Sequence, residues 1–226
     1  MAWEHLRSSY DEVARKYEDR FLDELRGKPR DREILAAFAA LVPDPVVEVG
    51  CGPGQIGLFV KQHGRRVYGL DLSSQLARLA NVRLDGALAA DMHSLPFASE
   101  QLGGVVAFYS LIHVRRPAVR TVLREFHRVL RPGGRVLFSA HEGRDEVAYE
   151  EFLGEPVPFV ATMFELDELV DSIRAAGFDV TSAERRMPYP SESGTVRLYI
   201  EATRPSVSAP PAVGIDELPE TSMDGI

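Results

Sequence analysis

Residues 46–57 read Val-Val-Glu-Val-Gly-Cys-Gly-Pro-Gly-Gln-Ile-Gly: a β-branched run closes on a carboxylate, and glycines then open an amphipathic segment, Leu58-Phe59-Val60. Glycine is needed where backbone turns tightly and approaches a ligand, because a Cβ would block the approach. The alternative is a strand-to-helix turn with no ligand, and three glycines between a buried-looking strand and a helix argue against it. The spacing admits two readings. Gly52, Gly54 and Gly57 satisfy G-x-G-x-x-G, whereas Glu48, Gly50, Gly52 and Gly54 satisfy E-x-G-x-G-x-G.

Charge separates the two. G-x-G-x-x-G is the dinucleotide spacing, and a dinucleotide sets its pyrophosphate at the helix N-terminus, where N–H groups and the helix dipole favour an anion. Glu48 would repel that pyrophosphate, whereas a cationic ligand without phosphate gains from it. Downstream, Arg65-Arg66-Val67-Tyr68-Gly69-Leu70-Asp71 reads as a second strand ending in an acid, 21 residues after Gly50. An acid at that distance is placed for ribose hydroxyls under either reading. Ser73 caps a helix through Leu76, Leu79 and Ala80. A third strand, Ala87 to Ala90, ends in Asp91-Met92, followed by Leu95-Pro96-Phe97. Residues 123–137 run Leu-Arg-Glu-Phe-His-Arg-Val-Leu-Arg-Pro-Gly-Gly-Arg-Val-Leu.

With these segments in view, the chain from about Asp31 to Arg204 resembles the class I S-adenosylmethionine (SAM) methyltransferases, in particular the small-molecule type with the ubiquinone-methylase and methyltransferase-11 pattern. E-x-G-x-G-x-G is that family's first motif, and the 123–137 segment matches its helix, R-P-G-G turn and fifth strand. The resemblance implies SAM as cofactor and S-adenosylhomocysteine as product. It implies that Glu48, Gly50, Gly52 and Gln55 surround the methionine moiety, with Cys51 a small side chain under the loop. Asp71 and Leu72 are then expected at the ribose, Asp91 and Met92 at the adenine, and Tyr109 and Ser110 beside the cofactor. It also implies that the segment Tyr10-Asp11-Glu12-Val13-Ala14-Arg15-Lys16-Tyr17 folds over the cofactor as a lid, Tyr10 and Tyr17 excluding water, with Lys28 a candidate for the SAM carboxylate. Residues alone leave Tyr10 and Tyr17 equally readable as core aromatics and Lys28 as an exposed loop lysine.

At 226 residues and 45% hydrophobic, the chain suits one α/β domain with additions. Strands are expected at 45–50, 66–71, 86–90, 103–109 and 135–140, alternating with helices. A helix over Asp167 to Ala176 and strands over Phe178 to Arg185 and Thr195 to Thr203 follow. The expected fold is an α/β, Rossmann-like, seven-stranded mixed sheet: mostly parallel, closed by an antiparallel hairpin, with helices on both faces. Residues 1–40 read as a helical lid or arm (Leu6, Tyr10, Val13, Tyr17 and Phe21 recur at helical spacing), 41–204 as the SAM-binding domain, and 205–226 as a disordered tail. That tail contains Pro205, Pro210, Pro211 and Pro219 with Asp216, Glu217, Glu220, Asp224 and no base. No apolar run is long enough to span a membrane, no signal-peptide core stands at the start, and Cys51 is the single cysteine, so a cytoplasmic protein is expected. Net charge −8 argues against a nucleic-acid partner. No metal is expected, and the oligomeric state stays open.

Ligands of such sheets sit at the carboxyl ends of the strands. There Tyr109, Ser110 and His113 follow the fourth strand, and His141, Glu142 and Arg144 follow the fifth. Tyr109, His113 and His141 are the candidates for catalysis, histidine because its ordinary pKa lies near neutrality. Packing at a strand end is the plainer role for each. Basic residues are mostly Arg, with only Lys16, Lys28 and Lys61, a bias that fits a high-GC bacterial genome. Arg120, Arg124 and Arg128 are expected on the solvent face of helix 117–130. Arg115, Arg144 and Arg186 come from loops bordering the acceptor side and could bind an anion. The expected function is methyl transfer to a small-molecule acceptor, preferably at oxygen (a hydroxyl, or a carboxylate or phosphonate oxygen). Nitrogen or carbon methylation, an NAD(P)-dependent oxidoreductase and a non-catalytic SAM-binding module remain as alternatives.

Overall fold

The computed structural model describes residues 5–206. Its centre is β1 (Val46–Val49), four residues buried on both faces, as β-branched runs in parallel sheets are. Parallel neighbours flank it: β2 (Val67–Asp71) on one side, β4 (Leu102–Phe108) on the other. The chain travels outward to β3 (Ala87–Ala89) and then crosses back to β4, followed by β5 (Leu130–His141). Two more strands, β8 (Asp179–Arg186) and β9 (Arg197–Thr203), close the sheet antiparallel, and β9 lies between β5 and β8. The order is β3-β2-β1-β4-β5-β9-β8, the expected seven-stranded mixed sheet. The reversal between β1 and β4 opens a crevice at their carboxyl ends.

Two apolar cores lie against the sheet. One gathers Val47, Val49, Phe126, Phe138 and Ile173; the other gathers Val46, Leu35, Phe38, Val60 and Val67. Period-2 alternation along β1 sends Val47 and Val49 to the first face and Val46 to the second. Helix α3 (Gln55–Gln62) follows the glycine loop. Helix α4 (Ser74–Asn81) is capped by Ser73 Oγ, which accepts from Leu76 N at 3.1 Å. Helix α5 (Val119–Val129) buries Val119, Val122, Leu123, Phe126 and Val129, a single stripe. Helix α6 (Leu166–Ala175) precedes β8. The arm comprises α1 (Leu6–Phe21), a short 3₁₀ turn and α2 (Pro29–Leu41), begun by proline.

Four features differ from the sequence reading or lie outside it. Strand β5 begins at Leu130 rather than near 135, and its register with β4 jumps between Leu102 and Gly104, so Pro132-Gly133-Gly134 forms an excursion within the strand. Gly133, at φ +78°, donates to Arg204 O there. A separate two-stranded sheet, β6 (Glu146–Tyr149) with β7 (Phe159–Thr162), was not anticipated. Arg128 does not simply face solvent: its guanidinium grips Glu125 and the Leu95 and Phe97 carbonyls. Residues 207–226, nearly all of the expected tail, lie outside the described residues. Among the described residues, no helix is long and apolar enough to cross a membrane.

Candidate active site

The glycine loop leaves β1 with Gly50 at φ +71°, Gly52 at +52° and Gly54 at +89°. A Cβ on Gly50 would stand 2.2 Å from the Ser110 Cβ, so this glycine is set by close approach as well as by φ. Asp71, at the end of β2, is 8% exposed and anchors the loop. Its Oδ2 accepts from Gly52 N and its Oδ1 from Ser73 N, both at 2.8 Å. Burial pushes its pKa up to about 6, opposed by those two N–H groups. Each carboxylate oxygen keeps a further lone pair for a ligand hydroxyl.

Above the loop opens a cleft of about 280 Å³. It brings together twelve of the expected site residues: Tyr10, Tyr17, Gly50, Gly52, Asp71, Leu72, Asp91, Met92, Tyr109, Ser110, His113 and Arg115. Helix α1 forms its roof. Asp11 Oδ1 accepts from Ser73 Oγ at 2.6 Å and from Gln75 N at 3.1 Å, which fastens the arm to the start of α4. The Tyr17 ring lies over Gly52, where an added Cβ would meet it at 3.3 Å.

His113 stands in the 3₁₀ turn after β4, facing α1 and β7. Its Nδ1 faces the Val160 carbonyl at 3.3 Å and so carries the ring hydrogen; Nε2 accepts from Tyr10 Oη at 2.7 Å. Burial lowers its pKa to about 4, partly offset by the Val160 carbonyl. At neutral pH the ring is an uncharged hydrogen-bond acceptor on the cleft wall. Tyr109 adopts φ +55°, uncommon for a non-glycine residue. Its Oη meets Tyr199 Oη at 3.1 Å, and Tyr199 Oη donates to Asp31 at 2.8 Å, so a polar chain behind the cleft fixes the ring.

Seven expected residues lie elsewhere, each for a visible reason. Glu48 shares the β1 face of Val46 and turns under the loop, where its Oε2 accepts from Gly57 N at 2.7 Å in the first turn of α3. Cys51 is buried in the second core, facing away from the cleft. Gln55 donates to Glu24 Oε1 at 2.9 Å. Lys28 is shared between Glu24 and Glu192. His141 stacks on Tyr109 and bonds Thr195, and burial, then Arg197, lowers its pKa to about 3. Arg144 is 80% exposed and pairs with Glu165. Arg186 forks onto Glu192, with Asp31 and Tyr199 beside it, and the carboxylate and hydroxyl partners push its pKa upward against burial. The sequence reading also missed lining residues. His93 bonds Asp91 at 2.7 Å and was findable two residues from it. Leu76 and Val114 carried only a core-like apolar signal.

The cleft fits SAM. Gly50 and Gly52 line the cleft with bare backbone, Asp71 presents acceptor lone pairs, and Leu72, Ala90 and Met92 form an apolar slot beside Asp91. Gln55 Oε1 is buried without a hydrogen-bond partner among the described residues and lies next to the Gly52 position, an acceptor suited to an ammonium. The α3 N-terminus is already answered by Glu48, which leaves no seat there for a pyrophosphate.

Comparison with known proteins agrees. The family model described as Methyltransferase domain matches residues 47–138. An uncharacterized methyltransferase of Geobacillus kaustophilus is 26% identical over 68% of this chain and 71% of its own length. A malonyl-[acyl-carrier protein] O-methyltransferase of Hamiltonella defensa is 35% identical over 42% of this chain and 36% of its own. Among solved structures, the Burkholderia thailandensis 1,6-didemethyltoxoflavin-N1-methyltransferase, with 1,6-didemethyltoxoflavin and S-adenosylhomocysteine bound, aligns at a TM-score of 0.70 and 25% identity over 90% of this chain and 88% of its own. The glycine loop, the acid at the end of β2, the domain match and these relatives together support a class I S-adenosylmethionine-dependent methyltransferase.

Proposed function

We propose that the protein methylates a hydroxyl of a small molecule. The observation that carries this reading is His113: an uncharged imidazole on the cleft wall whose tautomer leaves Nε2 as a hydrogen-bond acceptor. SAM supplies a methyl carbon activated by its sulfonium. The protein's residues then have to hold the acceptor, keep water out and receive its proton, and His113 Nε2 receives it. Asp71 holds the ribose, Gln55 and the Gly50–Gly52 backbone the methionine end, and Leu72, Asp91 and Met92 the adenine. Helix α1 serves as the lid, closing over the cofactor through Tyr17 at the glycine loop, with Tyr10 beside it on His113.

The anionic branch of the expectation loses support. Arg144 and Arg186 are committed to Glu165 and to Glu192, and of the three guanidiniums only Arg115 lines the cleft. The malonyl-[acyl-carrier protein] relative favours a carboxylate oxygen, and the Burkholderia structure a ring nitrogen. A neutral proton acceptor without a guanidinium pair favours the hydroxyl over the carboxylate. Net charge −8 favours a small molecule over nucleic acid.

The test is a metabolite screen with SAM, reading a product heavier by one methyl group, followed by His113→Ala on the substrate found. His113→Ala is expected to lower kcat about 10²-fold or more with little change in S-adenosylhomocysteine affinity. A silent His113→Ala would remove the proton-transfer role, and a carboxylate product would move the acceptor to the anionic class.

A further inference from the structure

Methyl transfer needs two reactants in contact, yet the cleft of about 280 Å³ is at the lower end for a single small ligand. A side chain that lines the cleft and leaves it would add room for the second reactant beside the cofactor. Tyr10 meets that description. Its hydroxyl holds the His113 Nε2 lone pair, the same lone pair the O-methylation reading gives to the acceptor. Its ring stands among aromatic edges, with centroids 5.8 Å from Tyr17, 5.9 Å from Phe152 and 6.3 Å from Phe159. Edge-on and tilted pairs of this kind add attraction beyond area burial, and they suit any ring of that size. Phe152 and Phe159, 5.0 Å apart, belong to the β6–β7 region and not to the arm. The bonds fastening α1, from Ser9 to the Pro158 carbonyl and from Asp11 to Ser73 and Gln75, do not pass through Tyr10. Turning its side chain out would leave those anchors and the Phe152–Phe159 walls in place.

We propose that the phenol of Tyr10 occupies the acceptor's own subsite, and that the acceptor is an aromatic ring whose hydroxyl takes Tyr10's place on His113 Nε2. The inference rests on the hydroxyl reading above and narrows it to an aryl hydroxyl. Burial, and then Asp71, push the Tyr10 hydroxyl well above its ordinary range, so this position holds a neutral phenol in preference to an anion.

The probe is p-cresol, the tyrosine side chain as a free molecule, titrated into protein saturated with S-adenosylhomocysteine. Wild type, Tyr10→Ala and Tyr10→Phe are compared by calorimetry and by the nitrogen-15 shift of His113 Nε2. Tyr10→Ala is expected to bind p-cresol at least tenfold more tightly than wild type and to show the His113 shift. Toluene, which lacks the hydroxyl, and cyclohexanol, which lacks the aromatic ring, are each expected to bind at least tenfold more weakly than p-cresol. Tyr10→Phe keeps its ring in place but loses the bond to His113, so its p-cresol affinity should fall between those of the other two. An unchanged far-ultraviolet circular-dichroism spectrum and melting temperature without ligand show that a variant is folded; if Tyr10→Ala fails that check, Tyr10→Phe decides, and an affinity there no higher than wild type overturns the proposal. Equal affinities in wild type and folded Tyr10→Ala, or p-cresol no better than cyclohexanol, also overturn it. With SAM in place of the product, 4-methylanisole formation by Tyr10→Ala supports both the subsite and the hydroxyl reading. p-Cresol bound with the His113 shift but without 4-methylanisole supports the subsite and overturns oxygen transfer.

Discussion

Asp71 does two tasks at once, bracing the glycine loop through Gly52 N and Ser73 N and facing the cleft. Removing it should weaken S-adenosylhomocysteine binding by about 1.5–3 kcal/mol, the range for hydrogen bonds to a charged group; calorimetry on a folded Asp71→Ala would show an unchanged Kd if the residue does not touch the ligand. Its raised pKa also gives a sign. A carboxyl lifted from 3.8 to about 6 by folding adds stability below about pH 4, and that contribution is lost as pH rises through 6. Ribose hydroxyls need the ionised form, so affinity should run the opposite way, tightening from pH 5 to 7 and flattening above. A Kd series over that range tests it, and Asp71→Asn should be flat. Gly50→Ala combines a left-handed backbone with a Cβ 2.2 Å from Ser110, so it should cost about 2–5 kcal/mol of stability in denaturant titration. These positions were legible because glycine spacing and an acid at a fixed distance report backbone geometry directly. Glu48 was legible only in its charge. Its direction followed from strand alternation, which put it on the Val46 face beneath α3 rather than in the cleft. Arg144 and Arg186 were unreadable because their carboxylate partners, Glu165 and Glu192, are tertiary neighbours or lie across a loop.

The arm is the element whose behaviour matters most to the cleft. Its stripe of Leu6, Tyr10, Val13 and Tyr17 was readable from period 3.6, and Val13 is buried. What it packs on was not readable: Asp11 meets α4 and Glu18 meets Arg83, 65 residues away. If α1 is a lid, hydrogen exchange across residues 5–25 should slow at least tenfold when S-adenosylhomocysteine binds. Protection equal and high with and without ligand would identify an ordinary packed helix instead. The β6–β7 pair escaped the sequence reading because two four-residue strands separated by a Gly- and Pro-containing stretch carry too little periodicity to register.

For the molecule as a whole, the seven-stranded mixed sheet and its closing antiparallel hairpin followed from alternating strand and helix signals together with the family resemblance, whereas the strand order is visible only in the structure. Edges blurred where glycines allowed a strand to run through an excursion, as at Gly133. A cleft built from β1, β2, β4 and the arm ties ligand binding to global stability. At a hundredfold excess over Kd, S-adenosylhomocysteine should add about 2.7 kcal/mol and raise Tm by about 5–10 °C, measurable by calorimetry. An equal rise with NAD would contradict the cofactor assignment.

Strand β9 lies inside the sheet, between β5 and β8, although it is the last strand of the described chain. During synthesis the ribosome therefore releases β1 to β5 and their helices well before the strand that finishes the sheet. Until residues 197–203 emerge, β5 offers an unpaired edge of backbone amides and carbonyls, a surface prone to pairing with another chain. Tyr199, which steadies the Tyr109 ring from behind, arrives in that same final segment. The nascent protein can thus assemble its β1–β3 half early, but the support behind the Tyr109 ring only once residues 197–203 have emerged. A stalled or truncated product ending before β9 would expose the open edge and lack the finished site.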